Sequence, residues 1–229
     1  MNELTKNILD ILLSNGADLA GAGDLTELPP EIRGNLPAGI CVAVKYPDNV
    51  IRNIAKFPTQ EYCDWYNKLN EKLDGLVTLG AQTLQERGFN AIAQTREYVG
   101  IGNEDAVLLP HKTIATRAGL GWIGKCAMLI TNEYGSMIRL SSILTDAPLE
   151  TAKPVNKSKC GDCSICTDAC PAKAVSGKLW ETGMLREDFF NAAACRKTAR
   201  ERSMQGFGGE ITICGKCIEV CPYTRRAWK

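Results

Sequence analysis

Cys160, Cys163, Cys166 and Cys170 stand at gaps of two, two and three residues, and Pro171 closes the run. Gaps this short let successive thiolates and backbone amides wrap a compact anion. In the pattern C-x2-C-x2-C-x3-C-P, three cysteines hold three corners of one 4Fe-4S cubane and the fourth reaches over to a second cluster. The proline is expected to keep the following helix from closing over that fourth ligand. A second run, Cys214-x2-Cys217-x3-Cys221-Pro222, repeats the pattern with Ile211 where a first cysteine would stand. Cys195 is the only cysteine between the runs and can supply the missing ligand. The expected sets are Cys160, Cys163, Cys166 and Cys221 for one cluster, and Cys170, Cys195, Cys214 and Cys217 for the other. Paired C-x2-C also suits a zinc ribbon, but the three-cysteine run and the Cys-Pro endings argue for clusters. The two runs, alike in their endings, read as an internal duplication.

That module needs only the last third of the 229 residues. The segment Ala147 to Ser158 carries two prolines and little apolar content, and it reads as a linker. The expected domains are therefore 1–150 and 151–229. Apolar residues make up 45% of the chain and the formal net charge is +1, which suits a folded protein and gives no sign of nucleic-acid binding. No apolar run approaches the roughly 20 residues of a membrane helix, and the N-terminal segment places acids where an export signal would not. A cytoplasmic setting is expected, in which many cysteines mean metal ligation or catalysis more than disulfides. Cys41, Cys63 and Cys126 lie outside the cluster sets, two of them in apolar strand-like contexts, and read as small buried hydrophobes.

Leu4, Ile8, Ile11 and Leu12 recur at helical spacing, predicting an amphipathic helix that ends near Asn15-Gly16. After a Gly/Pro-rich stretch from Gly21 to Pro37, the β-branched run Gly39 to Lys45 predicts a buried strand. A long helical pattern runs from Thr59 to Arg87, with Gly88 as its stop and Gly75 and Gly80 as places where it can bend. Asn90 to Thr95 reads as a strand and His111 to Ala118 as a helix ending at Gly119. Ala127 to Thr131 and Met137 to Leu144 read as strands joined by a hairpin turn at Glu133 to Ser136. Helices and strands mix without βαβ alternation, so the class is α+β.

About 145 residues before a cluster module exceed what an electron carrier needs, and point to a second cofactor or a substrate pocket. The most unusual stretch is Arg117 to Lys125, with Gly119, Gly121 and Gly124 spaced G-x-G-x-x-G. It follows a predicted helix and precedes a strand, the reverse of the dinucleotide-binding order.

The run HKTIATRAGLGWIGKCAMLIT, then GS, LTDAPL and the cluster pattern with one displaced cysteine, resembles epoxyqueuosine reductase and its short relatives over roughly Gly39 to Pro222. The resemblance implies a cobalamin-binding domain, similar to nitroreductase-like and reductive-dehalogenase-like folds, followed by a bacterial ferredoxin-like two-cluster module. Gly119, Gly121, Trp122, Gly124, Lys125, Leu129 and Thr131 would then face the corrin. Asp105 occupies the position of the family's general acid, a sensible proton donor if burial raises its pKa. The chain departs from the family around it: the usual Gly-Pro after Asp105 is absent, and His111 and Lys112 replace an acidic-basic pair. His111 can bind a ligand, donate a proton or simply start a helix. Long members continue into helical repeats that help hold tRNA, whereas eight residues follow Cys221 here, so a short relative with another substrate is expected. The implied partners are a low-potential electron donor, such as ferredoxin or flavodoxin, and a small-molecule or modified-base substrate. The alternative functions are an electron-transfer protein and a cobalamin-handling protein, each serving a partner enzyme.

Overall fold

The structure is a computed structural model that describes residues 1–100 and 109–228. In chain order the elements begin with α1 (Glu3–Ser14), β1 (Leu19–Asp24), β2 (Ala38–Lys45), α2 (Asp48–Arg52), α3 (Gln60–Gln85), β3 (Ala91–Ala93) and α4 (His111–Arg117). They continue with β4 (Trp122–Ile123), β5 (Leu129–Ile130), β6 (Ile138–Thr145), α5 (Ile165–Ala169), α6 (Ala192–Phe207), α7 (Lys216–Glu219) and α8 (Pro222–Arg226). The chain forms two compact units. The first is Met1–Val44, Leu69–Leu120 and Arg139–Val155; the second is Lys45–Lys68, Gly121–Ile138 and Asn156–Lys229. The last crossing, after Val155, falls within the expected linker. A single cut at 150/151 does not separate the units, however, because two earlier segments join the cysteine-rich one. A small module with few large apolar residues buries little surface by itself. The added segments bring it Ile54, Tyr62, Trp122 and Ile130, all buried.

The first unit is built on a sheet of order β1-β2-β6-β3. β1 and β2 pair antiparallel with Gly21 opposite Cys41, and β3 and β6 pair antiparallel with Ile92 opposite Leu144. The α+β expectation holds. Asn2 caps α1 by accepting from the Thr5 N–H at 2.8 Å, and Ile8 and Leu12 turn into the core. Seven of the eight residues of β2 are buried, as its unbroken apolar run requires. Cys41 lies in its middle with no exposed surface, and burial pushes its thiol pKa up, so it is the small hydrophobe expected.

β1 escapes a reading by composition. Leu-Ala-Gly-Ala-Gly-Asp has no β-branched residue. Its glycines serve a close approach: a Cβ at Gly23 would lie 2.6 Å from the Ala118 amide nitrogen just beyond α4. α3 runs unbroken through Gly75 and Gly80. A Cβ at Gly80 would meet the Ile143 side chain of β6 at 2.4 Å, so this glycine lets the helix lie close on the sheet. The predicted hairpin between the runs at 127–131 and 137–144 does not form. β5 pairs with β4, and β6 joins the four-stranded sheet. A turn does close between Thr131 and Gly135, but both strands find better partners than each other.

Candidate metal centre

The second unit gathers the cysteines. Cys160, Cys163, Cys166, Cys217 and Cys221 line one cavity of about 190 Å³ together with Cys126 and Lys125. Among the described residues, no group of three or more His, Cys, Asp or Glu converges on a single metal ion; the thiols surround a space. Each reaches it from a short element. Cys163 follows a turn in which its N–H donates to the Cys160 carbonyl at 3.2 Å, and Cys166 lies in the first turn of α5. Cys221 precedes α8, whose first residue is Pro222, a position where a missing N–H costs nothing. The proline therefore opens a helix after Cys221 instead of blocking one. Burial pushes the Cys221 thiol pKa up, while the Thr224 and Tyr223 N–H groups at its sulfur pull the other way. Amides aimed at sulfur suit a thiolate that holds an electron-rich cluster.

Cys195 stands in the first turn of α6, fixed by Asn191, which accepts from the Ala194 N–H at 2.9 Å. Its thiol pKa is pushed up to about 11, first by burial and then by the neighbouring Cys214 and Cys170 sulfurs. Cys170 accepts from the Ala174 N–H at 3.4 Å. The loop that leads to Cys214 is tied to α6 by Ser203, whose buried hydroxyl lies 2.7 Å from the Ile211 carbonyl and 2.8 Å from that of Ile213. No sequence signal beyond the displaced spacing marks this serine.

The glycine-rich stretch is explained by the chain's own packing. Gly119 ends α4 in the left-handed region at φ +69. A Cβ at Gly121 would lie 2.1 Å from the Ile130 carbonyl oxygen, so the residue permits the β4–β5 approach. Gly124 opens the β4–β5 turn: its carbonyl accepts from the Ala127 N–H at 2.8 Å, and Ala127 takes φ +60. Lys125 to Ala127 thus make a three-residue hairpin loop that ends on a left-handed residue, with the Gly124 N–H donating to the Met128 carbonyl at 2.9 Å. At its tip the Lys125 ammonium donates to the Cys163 carbonyl at 3.0 Å. Of the residues that the resemblance assigns to a corrin, Trp122 is 1% exposed, Leu129 3% and Thr131 0%. Thr131 is used internally, its hydroxyl accepting from the Tyr134 N–H at 3.0 Å. Gly119 alone among the seven is exposed.

Asp105 lies outside the described residues. His111, in the first unit, opens α4 with its Nδ1 2.8 Å from the Ser142 hydroxyl, which donates to the Gln94 side-chain oxygen at 3.4 Å. Burial, helped by the Arg139 guanidinium, pulls its pKa down to about 4, against a smaller opposing effect of Asp74. The imidazole is neutral at pH 7 and no cationic acid. The unfolded chain takes up this proton near pH 6.5 and the folded one near pH 4, so stability is full above 6.5 and is lost as the pH falls between them. From pH 7.5 to 5 the loss is about 2 kcal/mol. Urea unfolding of the parent protein and of His111→Gln at both pH values measures it. The parent should lose that much more than the variant, and equal losses would clear His111 of the effect.

A family profile described as a 4Fe-4S double cluster binding domain matches residues 159–224. The epoxyqueuosine reductase of Synechocystis sp. is 31% identical over 170 residues, which is 71% of this chain and 52% of that protein. That of Atelocyanobacterium thalassa is 30% identical over 206 residues, 89% of this chain and 62% of that protein. The chain thus spans about half to three fifths of these two relatives. A reductive dehalogenase solved in a study of B12-dependent dehalogenation shares the fold over 96% of this chain and 32% of its own, with TM-score 0.73 and 15% identity. So does an epoxyqueuosine reductase solved with a modified tRNA stem loop, over 97% of this chain and 66% of its own, with TM-score 0.64 and 20% identity. A protein of this fold was thus solved with an RNA stem loop, which stands against the expectation of no nucleic-acid binding. Among the described residues, no helix is long and apolar enough to cross a membrane. From the cysteine-lined centre, the double-cluster profile and the matches in sequence and fold, the chain belongs to the epoxyqueuosine reductase family.

Proposed function

We propose that the chain is an iron–sulfur reductase with two 4Fe-4S clusters, a cobalamin as its second cofactor and a small molecule or modified base as its substrate. The observation that carries the reading is the ring of thiols around one cavity of the second unit. Cys160, Cys163, Cys166 and Cys221 would hold one cluster and Cys170, Cys195, Cys214 and Cys217 the other, soft thiolates being the donors such centres need. The clusters, when bound, supply storage and relay of single electrons. The chain's part is to aim the Ala174, Tyr223 and Thr224 amides at ligand sulfurs, and to set the Lys125 ammonium beside the Cys163 peptide as a fixed positive charge. A low-potential ferredoxin or flavodoxin suits the donor's role. Asp105 is the proton donor we assign to the substrate, on its position before the glycine-rich stretch.

The cobalamin fits less well. Trp122, Leu129 and Thr131 have almost no surface to offer a corrin. We derive no step through cobalt. The same burial favours a second reading, an electron-transfer protein that serves a partner enzyme. Titrating the iron-reconstituted protein with cobalamin and following the corrin absorbance separates the two. Saturable uptake with a shifted spectrum supports the reductase, and an unshifted spectrum at all ratios leaves the carrier.

A further inference from the structure

A polar pocket lies in the first unit where β3 stops pairing with β6. The last bond of that edge runs from the Gln94 N–H to the Ser142 carbonyl at 2.9 Å, just past Ala93. The Ser141 hydroxyl then donates to the Gln94 carbonyl at 2.9 Å. Beyond it is a cavity of about 40 Å³, lined by Asn70 and Asp74 of α3 together with Gln94, Arg96, His111 and Arg139. Asn70 and Gln94 are each 5% exposed, so this polar wall is built into the fold and is no stretch of open surface. Arg96 is fixed on Asp74, its Nε donating to one carboxylate oxygen at 2.6 Å and its backbone N–H to the other at 3.0 Å. That leaves the fork of terminal guanidinium N–H groups for a ligand. Arg139 donates from Nε to the Asn70 side-chain oxygen at 3.0 Å and brings a second positive charge to the wall.

His111 adds an acceptor. Its Nδ1 is 2.8 Å from the Ser142 hydroxyl, whose single proton goes to the Gln94 side-chain oxygen. The neutral ring therefore carries its proton on Nδ1, and Nε2 keeps a lone pair. No described residue hydrogen-bonds that nitrogen. We propose that this pocket binds a small 2-hydroxycarboxylate, with its carboxylate on the Arg96 fork and its hydroxyl donating to His111 Nε2. A planar guanidinium matches the two oxygens of a carboxylate. An anion alone would set its lone pairs against that of Nε2, so the imidazole selects a ligand that also brings a proton. The size agrees: at roughly 10–15 Å³ for each water, the cavity has room for about three oxygens, the number in a carboxylate and one hydroxyl. Nothing in this site depends on the clusters.

The chain has one histidine, so NMR of the 15N-labelled, iron-reconstituted and oxidised protein follows this imidazole directly. Without additions, Nε2 should appear as the unprotonated ring nitrogen. Glycolate should shift the ring signals saturably. Acetate, which lacks the hydroxyl, should bind about tenfold more weakly, and chloride at equal ionic strength should leave the signals in place. Arg96→Lys keeps a positive charge beside Asp74 but loses the fork, and should weaken glycolate about tenfold. A proton on Nε2, or one affinity for glycolate and acetate, would overturn the hydroxy-acid assignment. Ring signals that glycolate never moves would overturn the site itself, as would unchanged glycolate binding in Arg96→Lys. The decisive readings come from the parent protein, so they stand even if the variant folds poorly. Iron and labile-sulfide analysis of the same sample judges the cluster reading separately.

Discussion

Cys195→Ser leaves about half the iron of the parent protein, one cluster being lost and the other kept. Ile211 stands where the second run lacks a thiol, and Cys195 is the only cysteine between the runs. The fold brings it to that gap. Asn191 caps α6 so that Cys195 falls in the first turn, beside Cys214 and Cys170. Of the three surplus cysteines, Cys41 is sealed in β2, Cys63 is buried on α3, where the Asn67 side chain meets its sulfur at 3.9 Å, and Cys126 lines the cavity with Cys160, Cys163, Cys166 and Cys221, the other set. Serine offers a hard, protonated oxygen where a soft thiolate is needed. The helix itself should be unaffected, since cap and core contacts stay. Iron and sulfide assays with EPR of the reduced protein measure the result. Full iron in Cys195→Ser, with loss in Cys63→Ser, would show the ligand assignment to be wrong.

Gly135→Ala destabilises the protein by about 4 kcal/mol and strips the cluster that uses Cys221. Gly135 sits at φ +57, where an alanine costs about 1–2 kcal/mol. Its Cβ would lie 2.2 Å from the Thr224 nitrogen and 2.5 Å from the Thr224 Cα, an overlap with backbone that no rotamer relieves, worth roughly 1–3 kcal/mol more. Thr224 is the wrong residue to displace. Its hydroxyl accepts from the Ser136 N–H at 3.1 Å, and its own N–H is directed at the Cys221 sulfur. Gly183→Ala is the control, with φ +94 and nothing within 4 Å of an added Cβ. It should cost about 1 kcal/mol and keep all its iron. Denaturant unfolding and iron assay decide; equal small losses in both variants would mean that the turn at 131–135 does not support the ligand.

The parts of the fold legible in the sequence are those where one local pattern decides. α1, β2, α3 and α4 follow from periodicity and from stops at Asn15-Gly16, Gly88 and Gly119. The thiol spacing marks which cysteines gather: Cys160, Cys163, Cys166, Cys217 and Cys221 line one cavity, and Cys195 neighbours Cys214 and Cys170. What stayed hidden depends on partners distant in the chain. β1 looks like a loop because Gly21 and Gly23 are set by the backbone near Ala118, and β5 looks like half of a hairpin with β6 because its pairing with β4 is a choice among strands. The glycines of Arg117 to Lys125 suggest a ligand's approach, yet Gly121 answers to the Ile130 carbonyl. Cys126 is indistinguishable from Cys41 in sequence, and only the hairpin loop that carries it sets it at the cysteine-lined cavity.

The central claim is that this chain is a two-cluster redox protein, and the most direct test is metal and sulfide analysis of anaerobically purified or reconstituted protein with its absorbance before and after dithionite. The account predicts about eight irons and eight labile sulfides per chain, and a broad visible absorbance that bleaches on reduction. One or two zinc ions, no labile sulfide and no reducible absorbance would contradict it.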